Sequence, residues 1–238
     1  MRSEHLFRIV LMALMLCAAF LLQSTAHAQV VVTELMWMGS DLSSADEWLE
    51  LTSVTDQHTD IAGWSLVTVK DGQEETMLTF PAGSAVAPGA CFIVSNYAAD
   101  QSRLALDPDS VTSAVSLPNT QLKILLKDGS GSILDSVDDG AGTPFAGANP
   151  SGTGAKASME RIDPLAAGDD PANWRTSVQS CGFDDGAALF GSPGVLLCAP
   201  DDDSPPDIPD TGSGDTVPDP PPEEPDPDSG SGTTSEPL

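Results

Sequence analysis

Carboxylates are the commonest reactive groups in this chain, and four of their clusters are consecutive: Asp138-Asp139, Asp169-Asp170, Asp184-Asp185 and Asp201-Asp202-Asp203. Calcium takes six to eight oxygen ligands, often from such loops. Asp138-Asp139, ahead of Gly140 at the end of an apolar run, is the best local calcium candidate, although no complete EF-hand pattern is present. Paired acids also serve glycosidases. Adjacent residues of a strand point to opposite faces, so these doublets do not build a catalytic pair. No other cofactor is expected.

The remaining chemistry is sparse. Beyond the first 28 residues there is one histidine, His58, in Asp56-Gln57-His58-Thr59-Asp60. That polar stretch reads as a turn, not as the buried partner of a nucleophilic serine. One imidazole and no Cys-x-x-Cys argue against zinc. Cys181 and Cys198 flank 16 residues and form a candidate disulfide for an oxidising compartment. Cys91, within Ala-Cys-Phe-Ile-Val, reads as a packed thiol on a strand. The inventory predicts no enzyme.

The elements that would hold these groups are short β-type runs between Gly, Pro, Asp and Ser clusters. The expected strands are Val30–Met38, Glu47–Thr52, Trp64–Val69, Thr76–Phe80, Cys91–Ser95, Leu122–Leu126 and Ile133–Val137. Short strands with frequent turn signals are the pattern of an all-β sandwich. Period two puts Val31, Thr33, Leu35 and Trp37 on one face of the first strand. Leu49 and Leu51 share a face of the second, with Trp48 and Glu50 on the other. Asp71-Gly72 and Asp128-Gly129 read as hairpin turns, where glycine accepts positive φ. Residues 140–157 read as a long loop.

The ends differ in kind from the middle. Arg2 and Arg8 precede an unbroken apolar run of 14 residues, Ile9 to Leu22, and Ala26-His27-Ala28 is a small-x-small cleavage site. Residues 1–28 therefore read as a secretory signal, leaving no membrane span once it is cleaved. From Ala199 to Leu238 there are twelve acidic residues, eleven prolines and no Lys or Arg. A segment with so little to bury cannot offset the entropy of ordering. The expected organisation is a signal over 1–28, a folded body over 29–196, and a disordered acidic Pro/Gly/Ser-rich tail over 197–238.

With residues 1–28 set aside, 7 basic residues face 35 acidic ones. Nucleic-acid binding needs cations to displace phosphate counterions, so DNA and RNA are not expected partners. Basic polypeptides and divalent cations are electrostatically favoured.

Several landmarks in order carry a family resemblance. They are Val32-Thr33-Glu34-Leu35-Met36, Glu47-Trp48-Leu49-Glu50-Leu51, Gly63-Trp64, Phe80-Pro81, Pro88-Gly89 and the hairpin at Asp128-Gly129. Together they resemble the lamin-tail domain. Three later pieces resemble the continuation found in secreted bacterial members: Ala157-Ser158-Met159-Glu160-Arg161, Asn173-Trp174-Arg175-Thr176-Ser177 and Gly191-Ser192-Pro193-Gly194. The resemblance implies an immunoglobulin-like β-sandwich, with a core over 29–142 and a C-terminal extension over 143–196. It also implies a non-catalytic interaction or scaffold module that binds a protein or a glycan. The alternative is an accessory or tethering domain of an extracellular hydrolase or nuclease system. The expected location is secreted or extracytoplasmic, at the cell surface or in the medium. No coiled-coil rod and no basic DNA-facing surface accompany the motif, so a nuclear lamina role does not carry over.

Overall fold

The computed structural model describes residues 29–195. The strands are β1 (Val30–Met36), β2 (Trp48–Ser53), β3 (Thr59–Asp60), β4 (Ser65–Lys70), β5 (Gln73–Thr79), β6 (Ala85–Val86) and β7 (Cys91–Ser95). They continue as β8 (Ser110–Val111), β9 (Ile124–Lys127), β10 (Ile133–Val137), β11 (Lys156–Ala157), β12 (Met159–Arg161), β13 (Trp174–Thr176) and β14 (Leu189–Phe190). The expected signal at 1–28 and the expected disordered tail at 197–238 lie outside the described residues. Among the described residues no helix is long and apolar enough to cross a membrane.

The fold is an immunoglobulin-like β-sandwich. Its larger sheet runs β13-β12-β1-β2-β7-β8, and its smaller sheet runs β10-β9-β4-β5. Two short ladders, β11 with β14 and β3 with β6, complete the set. Leu35, Leu49 and Leu51 from the larger sheet share one core cluster with Leu66, Ile124 and Leu126 from the smaller, and all are fully buried. Each such side chain contributes about 1.5–3 kcal/mol of burial. Phe80 and Phe92 meet edge to face within it, with centroids 5.5 Å apart.

Turn chemistry fixes the smaller sheet. Asp71 (φ 50°) and Gly72 (φ 74°) are both left-handed, as a two-residue hairpin turn requires, and they join β4 to β5. Asp128 Oδ1 accepts from the backbone N–H groups of Ser130 and Ser132 and so folds the turn between β9 and β10.

The first strand departs from simple alternation. The register of β1 against β2 shifts between Val32 and Glu34, so Thr33 sits in a bulge. A bulge resets which face each side chain meets. Val30, Val32 and Leu35 therefore reach the core, whereas Val31 lies outside the core cluster. The expected face of Val31, Thr33, Leu35 and Trp37 is thus broken at its second member. The cause is tertiary.

Trp48 is 1% exposed and packs on Phe183, whereas Trp64 is only half-buried against the core. Trp48→Ala is expected to cost about 3–5 kcal/mol, and Trp64→Ala distinctly less. Urea denaturation of the two variants measures this. Equal losses would show that Trp64 carries as much buried area as Trp48.

Candidate functional site

The bulge in β1 has a purpose visible in its hydrogen bonds. β12 pairs with β1 only at Glu34 and Leu35, which leaves the peptide groups of Val32 on that edge without a strand partner. Two side chains take them. Val32 N–H donates to Asp135 Oδ2 (2.9 Å), and Arg161 Nη1 donates to Val32 C=O (3.0 Å). Arg161 Nη1 also reaches Asp135 Oδ2 at 2.7 Å. The pair joins β12 of one sheet to β10 of the other, with both side chains almost wholly buried.

Arg161 then organises the loop that follows it. Its Nη2 donates to Ala166 C=O (2.6 Å), and its guanidinium carbon lies 5.8 Å from the Trp174 ring centroid. Asn173 holds the same loop from the other side: its Nδ2 donates to Asp163 C=O and Ala167 C=O, and its Oδ1 accepts from Asp163 N–H. Trp174 Nε1 donates to Gly168 C=O. Residues 162–168 are thus pinned by three side chains from β12, β13 and the short 3₁₀ turn between them. The outcome is a fixed ridge on which Ile162 and Leu165 stand 54% and 59% exposed.

A cleft lies on each side of this ridge. One, of about 300 Å³, is floored by Val31 and Leu134 and walled by Pro164, Leu165, Ala166 and Ala167. The other, of about 190 Å³, is lined by Thr33, Glu50, Thr52, Glu160, Ile162 and Pro164, among others. Glu160, Glu34 and Glu50 lie in register across β12, β1 and β2.

The innermost carboxylates of that row are held by a strap, residues 191–195. Ser192 N–H and Oγ donate to the two oxygens of Glu34, and Ser158 Oγ donates to its Oε1 at 2.6 Å. Gly194 N–H donates to Glu50 Oε2, while Thr33 Oγ1 donates to Glu50 Oε1. Glycine at 191 lets the strap lie close, since a Cβ there would stand 2.8 Å from Glu34 Oε1 and displace it. Burial pushes the Glu34 carboxyl up to about 8, against the pull of the Ser158 and Ser192 bonds and with a further push from Glu50. Burial also raises Glu50. The Cys91 thiol beside Glu50 is pushed up to about 12, chiefly by burial, which makes it unreactive as a nucleophile.

The calcium candidates share one corner but have separate tasks. Asp138 is fully buried with φ 63°. Its Oδ1 accepts from Asp139 and Gly140 N–H, and its Oδ2 accepts from Phe145 N–H. Burial raises its carboxyl nonetheless, against those three bonds. Asp139 is exposed and accepts from Ala141 N–H. Among the described residues no three His, Cys, Asp or Glu groups converge as a metal site. Organising its own loop is the use that the geometry of Asp138 supports. A calcium-specific rise in melting temperature, beyond that in sodium chloride of matched ionic strength, would show that the ion binds.

Of the other candidates, Cys181 is disulfide-bonded, Cys91 is free, and Cys198 lies outside the described residues. His58 is exposed in its turn. Glu160 and Arg161, adjacent in the chain, take different partners: Arg175 Nε pairs with Glu160, and Arg161 pairs with Asp135. Sequence reading missed Glu34, Glu50 and Asp135. Their one signal is an acid inside an apolar strand run, as in Val-Val-Val-Thr-Glu-Leu-Met, which period two assigns to solvent.

A family model described as Lamin Tail Domain matches residues 23–141. No curated protein matches the chain. The matched span ends before the ridge, β12, β13 and the strap, so these are built from the C-terminal extension onto the family's body.

The raised Glu34 carboxyl sets a pH dependence. Below about 4.5 the carboxyl holds its proton whether the chain is folded or not. Between there and about 8 only the folded state keeps it, so stability present at low pH is lost as pH rises through about 8. Denaturation midpoints should fall between pH 5.5 and 8.5 in the wild type, and fall less in Glu34→Gln. Parallel slopes for the two proteins would show that Glu34 is ionised in the fold.

Proposed function

We propose a role from one premise: the chain belongs to the lamin tail domain family. Members are immunoglobulin-like domains that generally act as non-catalytic interaction modules. This one is a secreted or cell-surface module that binds a basic polypeptide partner and catalyses no reaction itself.

The distribution of cations carries the reading. Arg103, Lys127, Lys70, Arg161 and Arg175 are each paired with an acid of the same fold: Asp41, Glu74, Glu75, Asp135 and Glu160. Lys156 is held by the carbonyls of Met38 and Ser40. Lys123 alone among the described basic residues has no such partner. Acids such as Asp56, Asp100, Asp107 and Asp109 stand exposed without a cation, on a chain whose formal net charge is −27. Such a field favours cationic partners and repels nucleic acid and anionic membrane surfaces.

The aromatic residues support a protein over a glycan. Sugar-binding sandwiches stack rings against the sugar, yet Trp37, Trp48 and Trp174 are buried and Trp64 packs on the core. Trp37 and Trp174 also direct their indole N–H groups to Ala146 and Gly168 carbonyls, as structural rings do.

Affinity capture with the mature chain as bait tests the role. Basic proteins should be retained at low salt and released as ionic strength screens the field. Duplex DNA should not be retained. Retention of neutral glycans without basic proteins would reverse the assignment, and a hydrolase or nuclease as the main captured partner would make the chain its tether. Export through residues 1–28 is tested apart: secreted material should begin at Gln29, and a membrane-retained full-length product would overturn it.

A further inference from the structure

We infer that the Ile162–Leu165 ridge and its two clefts dock a short basic segment of a partner polypeptide. An aliphatic side chain of that segment enters the apolar cleft, and a neighbouring Lys or Arg meets the carboxylate cleft. The inference rests on the reading of the chain as an acidic interaction module and names the face that performs it.

Three observations converge here. First, two large aliphatic side chains are held in water by a loop that is not free to turn them inward. Arg161, Asn173 and Trp174 fix its backbone from within. Apolar groups kept exposed on a rigid support are what an anchor site presents to a partner, because little ordering entropy remains to be lost on binding. Second, the cleft beside Leu165 has an apolar floor in Val31 and Leu134 and a volume of about 300 Å³, enough for one aliphatic side chain. The polar groups at its back, Asp135 and Arg161, are bonded to each other.

Third, acids outnumber cations around the ridge. Asp163, within the ridge, and Asp169 and Asp170, just after it, are exposed. On the far side, Glu160 gives one oxygen to Arg175 and leaves the other uncommitted, in a cleft that Glu50 also lines. The cations of this face, Arg161 and Arg175, are already paired. A basic residue entering there meets acceptors, whereas a second copy of the same face would set acid against acid. Complementary charge therefore selects a basic partner over self-association.

The test uses the full mature chain and synthetic peptides that pair Lys or Arg with Leu or Ile. One control set has Glu in place of the basic residues, and another has Gly in place of the aliphatic ones. Backbone amide shifts should move at residues 162, 163, 165–167 and 31–34 with the basic aliphatic peptides only. Ile162→Ser with Leu165→Ser should weaken binding about tenfold or more, with the far-ultraviolet circular dichroism unchanged because both side chains are exposed. Glu160→Gln should weaken it and flatten its salt dependence.

Unchanged affinity in the double serine variant overturns the docking face, as do shifts confined to other surfaces. So does self-association of the wild type that this variant abolishes, which would assign the ridge to a second copy. If the double variant still captures basic proteins as the wild type does, the docking face falls and the acidic-module reading stands. If neither basic peptides nor basic proteins bind the wild type, both fall.

Discussion

The buried Asp135–Arg161 pair is the contact on which the C-terminal half of this molecule depends. It closes the gap between the two sheets at the point where β1 bulges, and it supplies the hydrogen bonds that the ladder there lacks. Removing two charges from water is expensive, and a buried pair becomes tolerable when its remaining donors and acceptors are also met. Here one carboxylate oxygen serves a peptide N–H and a guanidinium together, while the guanidinium reaches two peptide carbonyls and faces the Trp174 ring. Arg161 Nε is buried without a partner. Loss of either charge would strand the other, which typically costs 3–5 kcal/mol.

From that contact the ridge follows. Because Arg161 holds Ala166, and Asn173 holds Asp163 and Ala167, the loop between β12 and β13 cannot collapse onto the sheet. The strap at 191–195 is a second device on the same sheet face. It roofs Glu34 and Glu50 with serine and glycine donors in place of water. The extension thus converts the flank of an ordinary sandwich into a surface with an apolar side and an acidic side, separated by a rigid crest.

Electrostatics gives this surface its selectivity. Most fixed cations of the fold are internally satisfied, so the unbalanced acids project to solvent and define what can approach. The buried acids are a different population. Glu34 and Asp138 serve backbone donors within the molecule, and burial raises both carboxyls. A sequence count cannot separate these two populations, since an acid is one negative charge in either.

Local pattern by itself determined the all-β class, the strands Cys91–Ser95 and Ile133–Val137 to the residue, the Asp71-Gly72 hairpin and the sign of the surface. These rest on alternation, turn stereochemistry and composition, which act over a few residues and leave a direct mark on them. Tertiary structure decided the bulge at Thr33, the partner of Arg161, the burial of Glu34 and Glu50, and the exposure of Ile162 and Leu165. Each depends on a contact between segments far apart in the chain, such as Arg161 with Val32 or Ser192 with Glu34. Nothing in the residues beside Glu34 marks it as an acid that a serine 158 positions away will cover. The reason is physical: desolvation and long-range hydrogen bonds belong to the packed arrangement, and period-two alternation alone would have put that side chain in water.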